Sequence, residues 1–384
     1  MPIIKNEVLS FDNKFPFGCS IEKFFKKYYI DETIEYYKFY FCPWGKGTSI
    51  KDLQKINYKE KIIIWMSCDS FIDETPFNWY QSRNINAITE LEKICNKNLD
   101  KIFIICSWQH NLDKFITVKN LYTVNLINTK FNKKQKYKRC NKKIFNKKTW
   151  ITLNNSIMPH RDGVLSYLLS LDLEQCGLIT AATHNKFPFN YFNFDDHLTT
   201  KINDGFNKLS KLDRIKIKPY NNLDNIKNYN NNLLPIYKYT IVEIITGSLF
   251  FEPTPFYGEK EIQNVYAQNF PIYINTQNAA YTLKNTYGFD IFEDIIDHSY
   301  DQIADPTERL ISAIELNIHL LNGTTDLKKI WLTCQNRFEK NCINADNLYF
   351  NKNFQFQFDE KEIKKVLDQI GIKYVKTKKL ILNQ

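Results

Sequence analysis

The sequence predicts an α/β protein made of two units in tandem, each a parallel sheet with helices on its faces, the pair facing a central cleft. Three observations predict it. Short apolar runs alternate with segments whose apolar residues recur at helical spacing, which is the pattern of repeated strand–helix units. The alternation halts at a basic stretch, "KFNKKQKYKRCNKKIFNKK" (130–148), and then restarts. The chain of 384 residues is 43% hydrophobic and 15% aromatic. At ~150 residues per domain, that length allows two sizeable cores.

The first unit spans 1–129. "KIIIWMSCD" (61–69), "KIFIICSWQH" (101–110) and "LYTVNLI" (121–127) read as buried strands, with a helix over "NAITELEKICNK" (86–97) between the first two. The basic stretch 130–148 follows as an inter-domain linker. It reads either as a solvated connector or as a contact for a phosphate backbone. The second unit, 149–340, opens on the strand "TWITLNN" (149–155). A helix over 160–177 follows, with Val164, Leu165, Leu168, Leu169 and Leu171 on one face and Gly177 as its stop. Residues 185–235 are rich in Asn, Asp, Lys and aromatics and read as irregular. "KYTIVEIIT" (238–246) is the next strand, followed by a loop, a helix starting near Glu259 and the strand "IYI". "AAYTLKNTYG" (279–288) is a helix closed by Gly288. A longer helix covers 305–321, with Asp305 as N-cap and Pro306 at the first helical position. A C-terminal extension, 341–384, carries a charged helix at 359–371.

Net charge is +10, which favours anionic partners such as nucleotides, nucleic acid or anionic lipid. Nine cysteines, with no C-x-x-C pair, read as reduced thiols in a cytoplasm-like compartment. No secretory leader and no apolar run long enough to span a membrane is legible, so cytoplasmic location is expected.

Ligands of open parallel sheets sit beyond the carboxyl ends of the strands. Two helix entrances there carry chemistry. The loop after "TWITLN" presents Asn154, then His160 and Arg161 at a helix start, where free N–H groups and the helix dipole suit an anion and Arg adds a fork of donors for phosphate oxygens. Arg161 is equally the partner of some surface carboxylate. The second entrance is Glu259-Lys260. Lys260 can neutralise a phosphate, and the Glu259 carboxylate matches the two vicinal hydroxyls of a ribose. The plainer reading is a Glu favoured by the dipole beside a solvated Lys.

The blocks "TLNNSIMPHRDGVLSYLLSLDL", "YTIVEIITGSLFFEPTPFYGEKEIQNVYAQNFPIYI" and "LKNTYGFDIFEDIIDHSYDQIADPTERL" resemble, in order, a family of glycosyltransferases from tailed phages, large DNA viruses and bacteria. The later blocks are similar, more distantly, to the donor-binding part of α-1,3-fucosyltransferases. The resemblance covers about 149–320. It implies a GT-B-like fold of two Rossmann-like domains, with a nucleoside-diphosphate sugar bound by the second through Asn154, His160, Arg161, Glu243, Glu259 and Lys260. It makes Gly288, Phe289, Phe292, Tyr300, Asp301 and Arg309 mainly structural. The family's Thr or Ser before Glu-Lys is Gly258 here, so any hydroxyl contact from that position is missing.

No Asp-x-Asp motif is present, so fixed cations are expected to stabilise the leaving diphosphate, with no metal and no further cofactor. An inverting reaction needs a base from the first unit, at a strand's carboxyl end: Asp69 and His110 fit, with Asp73 and Glu74 nearby. The acceptor is expected to be a glycan, a glycoprotein or a modified base in viral DNA. The alternative is a non-catalytic nucleic-acid-binding protein using 130–148. "PWGKGTS" (43–49) imitates a phosphate loop, but Tyr40 stands where its first Gly belongs. "FDDH" (194–197) and "DHSYD" (297–301) read as helix caps and surface pairs before they read as metal sites.

Overall fold

A computed structural model describes residues 27–30, 34–41, 61–68, 102–106, 121–123, 136–142, 148–154, 157–209, 211–212, 225–247, 250–251 and 257–376. The chain divides into two compact units. Unit 1 takes Met1–Lys130, Glu252–Thr254 and Asn351–Gln384; unit 2 takes Phe131–Phe251 and Pro255–Phe350. The helix expected at 86–97, and the residues Asp69, Asp73, Glu74 and His110, lie outside the described residues.

Unit 1 holds a four-stranded, all-parallel sheet in the order β2-β3-β4-β5, formed by β2 (Ile34–Phe41), β3 (Lys61–Cys68), β4 (Ile102–Cys106) and β5 (Leu121–Thr123). A separate antiparallel pair joins β1 (Tyr28–Ile30) to β10 (Tyr374–Lys376).

Unit 2 holds a second four-stranded parallel sheet, order β7-β6-β8-β9. Its strands are β6 (Trp150–Asn154), β7 (Gly177–Ala181), β8 (Val242–Thr246) and β9 (Phe270–Ile274). All fifteen residues of β6, β8 and β9 are buried, so these strands read as unbroken apolar runs. Pro271 is tolerated because β9 is an edge strand: Phe270 N–H donates to Ile241 at 2.7 Å, which turns the neighbouring Pro nitrogen away from the ladder.

Helices follow the strands on both faces. One face packs Trp150, Val242, Ile244, Phe270 and Ile272 against α1 (Pro159–Ser170), through Val164, Leu165 and Leu168, and against Leu310 and Ile314 of α5 (Pro306–Glu315). Glu243 lies on the other face, where it meets Asn264 of α3 (Glu259–Ala267). Between them in sequence come α2 (Asp196–Leu209), packed on α1, and, after α3, α4 (Ala279–Asn285). The unit ends with α6 (Leu327–Thr333) and α7 (Gln335–Ala345). Helix α8 (Lys352–Ile370) belongs to unit 1. No helix among the described residues is long and apolar enough to cross a membrane.

Four expectations change. The helix read over 160–177 ends at Ser170: Asp172 turns left-handed at φ 55°, and Gly177 opens strand β7 instead of closing a helix. Gly is needed there because a Cβ would lie 2.1 Å from the Trp150 ring. The irregular reading of 185–235 misses α2, capped by Asp195, whose Oδ1 accepts from Leu198 N–H at 2.7 Å. Ile202, Gly205 and Leu209 form its buried stripe, and Gly205 lets it touch α1, since a Cβ would stand 1.8 Å from the Ser166 carbonyl. The helix over 305–321 starts as expected, with Asp305 accepting from Glu308 N–H, but breaks after Glu315. There the buried Asn317 amide donates to Ala313 O at 3.1 Å and Asp297 O at 3.0 Å, competing with the helical ladder. Finally, the solvated-linker reading fails for Tyr137, Cys140 and Lys142, all buried. The Lys142 ammonium donates to Tyr237 O at 2.8 Å, Thr240 O at 2.7 Å and Asn269 Oδ1, and burial lowers its pKa to about 8.

Candidate functional site

The strand order fixes where to look. The chain winds from β6 outward to β7, then returns across β6 to β8 and β9. The crevice at the carboxyl ends of β6 and β8 is therefore the point where the winding reverses, the usual ligand position of such sheets.

Hydrogen bonds that involve side chains tie the strand ends together here. Asn154, the last residue of β6, accepts from Thr246 Oγ1 of β8 at 2.5 Å, and its backbone N–H donates to Thr180 Oγ1 of β7 at 2.9 Å. Both α1 and α3 start at this level. From α3, Lys260 reaches back across the gap and donates to Leu153 O at 2.6 Å and Thr246 O at 3.3 Å. One ammonium thus bridges the two strands between which the winding reverses. Burial, then the nearby Arg161 charge, bring its pKa down to about 7, against the pull of Glu259, Glu261 and Glu243.

From α1, His160 and Arg161 converge on the carbonyl of Gly247, one residue past β8. His160 Nε2 stands 2.8 Å from that oxygen, so Nε2 carries the proton and donates; Arg161 Nη2 donates to it at 3.5 Å. The His160 ring stacks on Phe250. Its pKa lies well below the usual value, first through burial and then through the Arg161 charge, so the ring is neutral. Burial also lowers the Arg161 pKa, while Glu259 and Glu261 favour its charge. Gly247 has no room for a side chain: a Cβ would lie 2.4 Å from Asn275 Cγ.

The acidic residues divide. Glu259 opens α3 and is exposed. Glu261 is buried; its Oε2 accepts from Gly258 N–H at 2.8 Å and its Oε1 from Asn275 at 3.4 Å, and burial raises its pKa to about 7. Glu243 is elsewhere. It lies near the amino end of β8, on the α3 face, accepting from Tyr237 Oη at 2.7 Å and Asn264 at 3.0 Å, with its pKa raised to about 7 by burial. The structure therefore groups Asn154, His160, Arg161, Lys260 and Glu259 at one end of the sheet and sets Glu243 apart in the core. Glu261 and Gly247 were missed; a Glu three residues after a helix-capping Gly was the legible sign of the first.

The third sequence block is a clasp. Arg309 donates to the carbonyls of Asn275 (3.1 Å), Phe250 (3.0 Å), Ile303 (2.7 Å) and Ala304 (3.2 Å), fastening the loop after β8 to the end of β9. Asp301 accepts from Tyr281 N–H at 3.1 Å at the start of α4. Asp195 and Asp297 act as backbone caps. Among the described residues no group of three or more His, Cys, Asp and Glu is placed to hold a metal ion.

No protein-family profile, no curated protein and no solved structure matches the chain.

Proposed function

We propose that the chain is a nucleotide-sugar-dependent glycosyltransferase of GT-B-like, two-Rossmann-domain architecture, with unit 2 binding the donor and unit 1 the acceptor. The observation that carries the reading is the convergence of Arg161, His160 and Lys260 on the strand ends between which the winding of a parallel sheet reverses. A diphosphate there meets two cationic side chains and two helix starts. Glu259, exposed at the same entrance, is the candidate for the ribose hydroxyls. Fixed cations then stabilise the charge that grows on the departing diphosphate, with no metal required. An anion beside Lys260 favours its protonated form, so donor binding takes up a proton near neutral pH.

The acceptor class stays with the earlier expectation: a glycan or glycoprotein, or a base in DNA, met in the cytoplasm of a cell or viral host. The rival nucleic-acid-binding reading is weakened because Lys142, within the basic stretch, is buried against carbonyls. The test is a thermal-shift screen against nucleoside diphosphates and nucleotide sugars. A donor at 100 times its dissociation constant adds about 2.7 kcal/mol of stability. A flat screen, with no nucleotide moving the transition, ends the proposal.

A further inference from the structure

We infer that Asp162 and His184 form the proton-accepting pair of this crevice, with His184 Nε2 as the base that takes the acceptor's proton. The inference rests on the nucleotide-sugar reading and names a group that the sequence sought elsewhere in the chain. His184 lies in the loop that leaves the carboxyl end of β7. That loop is fixed to the neighbouring strand: Ala182 N–H donates to Asn154 O at 2.7 Å. Asp162 follows Arg161 in the first turn of α1 and is fully buried.

The two side chains meet at hydrogen-bond distance, His184 Nδ1 to Asp162 Oδ2 at 2.5 Å, and the same oxygen accepts His184 N–H at 3.1 Å. Two bonds to one carboxylate oxygen fix both the loop and the ring. A carboxylate accepts and does not donate, so Nδ1 carries a proton, and in the neutral ring the lone pair is on Nε2. The His184 side chain is 32% exposed whereas that of Asp162 is at 0%, so the imidazole is open to solvent and the carboxylate is not. Among the described residues Nε2 has no hydrogen-bond partner. A carboxylate that fixes an imidazole tautomer and steadies its protonated form is the arrangement of a general base with its orienting group.

The acceptor oxygen forms a bond to the anomeric carbon, and the bond from that carbon to the diphosphate oxygen breaks. The electron pair leaves on the diphosphate, beside Lys260 and Arg161. The hydroxyl proton passes to Nε2, giving an imidazolium beside Asp162. Asp162 is a positioning residue; His184 is the catalytic one.

The experiment compares wild type, H184N and D162N. It measures donor binding by calorimetry and release of nucleoside diphosphate with water as acceptor, which needs no identified acceptor. H184N is the informative variant, because its amide nitrogen overlays Nδ1 and keeps the bond to Asp162 while Nε2 is removed. Expected are donor affinity within about twofold of wild type and turnover down ~10²–10⁴-fold, the usual contribution of a general base. D162N should lower kcat with KM unchanged, and long-range imidazole ¹⁵N correlation should show that His184 loses its fixed Nδ1–H tautomer. Unchanged turnover in H184N with normal binding overturns the base and leaves the donor reading standing. So does a wild-type protein that binds donor and releases nothing. Absence of any donor binding overturns the donor reading and this inference with it.

Discussion

The Lys260 ammonium donates to the Leu153 carbonyl at 2.6 Å, so the helix that follows β8 is anchored to the end of β6. One side chain therefore both closes the sheet and places a titratable cation at the crevice. Replacing it separates the two roles. Lys260→Met keeps the aliphatic stem and removes the donor, leaving the Leu153 and Thr246 carbonyls short of a partner. The expected cost is about 1–3 kcal/mol, read from urea denaturation. If the proposed function holds, donor affinity also falls by at least tenfold.

Glu243 makes stability depend on pH in a stated direction. Its pKa is about 7 in the fold against 4.5 ordinarily. Between those values the unfolded chain has lost a proton that the folded chain keeps, so this group's contribution falls as pH rises from 4.5 towards 7. Glu243→Gln keeps an acceptor for Tyr237 and abolishes that fall. Relative to wild type the variant gains on the order of 2–3 kcal/mol between about pH 5 and pH 8. A constant difference across denaturation curves in that range would refute the assignment.

Lys260 works in the opposite window. Its pKa is about 7 folded and 10.5 ordinarily, so between these the unfolded chain holds a proton that the folded chain has released, and stability rises with pH. The same release means that donor affinity should weaken as pH climbs above about 7, because the neutral amine attracts phosphate less. Calorimetry in two buffers of different ionisation enthalpy measures the proton uptake directly.

Gly205 and Gly163 give a graded test of how closely α1 is packed, by α2 at Gly205 and by Leu310 and Phe192 at Gly163. A Cβ at Gly205 meets backbone, the Ser166 carbonyl, at 1.8 Å; at Gly163 it meets only side-chain atoms of Leu310 and Phe192, at 3.1 Å. Gly205→Ala should cost more than the ~1–3 kcal/mol typical of overpacking, and Gly163→Ala less. Melting temperatures in the reverse order would show that α2 docks differently.

Removing Lys142 tests whether the basic segment is part of unit 2. Lys142→Met strips the Tyr237 and Thr240 carbonyls of a donor and should cost about 1–3 kcal/mol. A surface lysine would cost nothing measurable in the same melt.

Particular residues show why some of this was legible in the sequence and some was not. Strands β6, β8 and β9 are buried on both faces and so appear as plain apolar runs. The start of α5 carried a capping Asp and a Pro at the first position, both local signals. Strand β7 was hidden because Gly177, needed under the Trp150 ring, also looks like a helix stop. Helix α2 was hidden because Asn and Lys dilute a stripe as thin as Ile202, Gly205 and Leu209. The helix entrances could be found by spacing, since each cluster is contiguous. The Asp162–His184 pair could not: its members are 22 residues apart, one on α1 and one in the loop after β7, and they meet only in the fold. The place of Glu243 was hidden for a related reason, since a strand residue's distance from the carboxyl end decides its company, and composition does not reveal that distance.

Strand β1 pairs with β10, and Lys27 and Tyr28 bind Glu360 of α8, 332 residues further on in the case of Tyr28. Synthesis on the ribosome proceeds from the amino terminus, so these partners meet only after the whole of unit 2 has emerged. Unit 2 can complete its own sheet while the early strand of unit 1 waits unpaired, and the delay grows with translation time. A stop codon after Phe350 would leave the unit 2 sheet intact and deprive β1 of its partner for good.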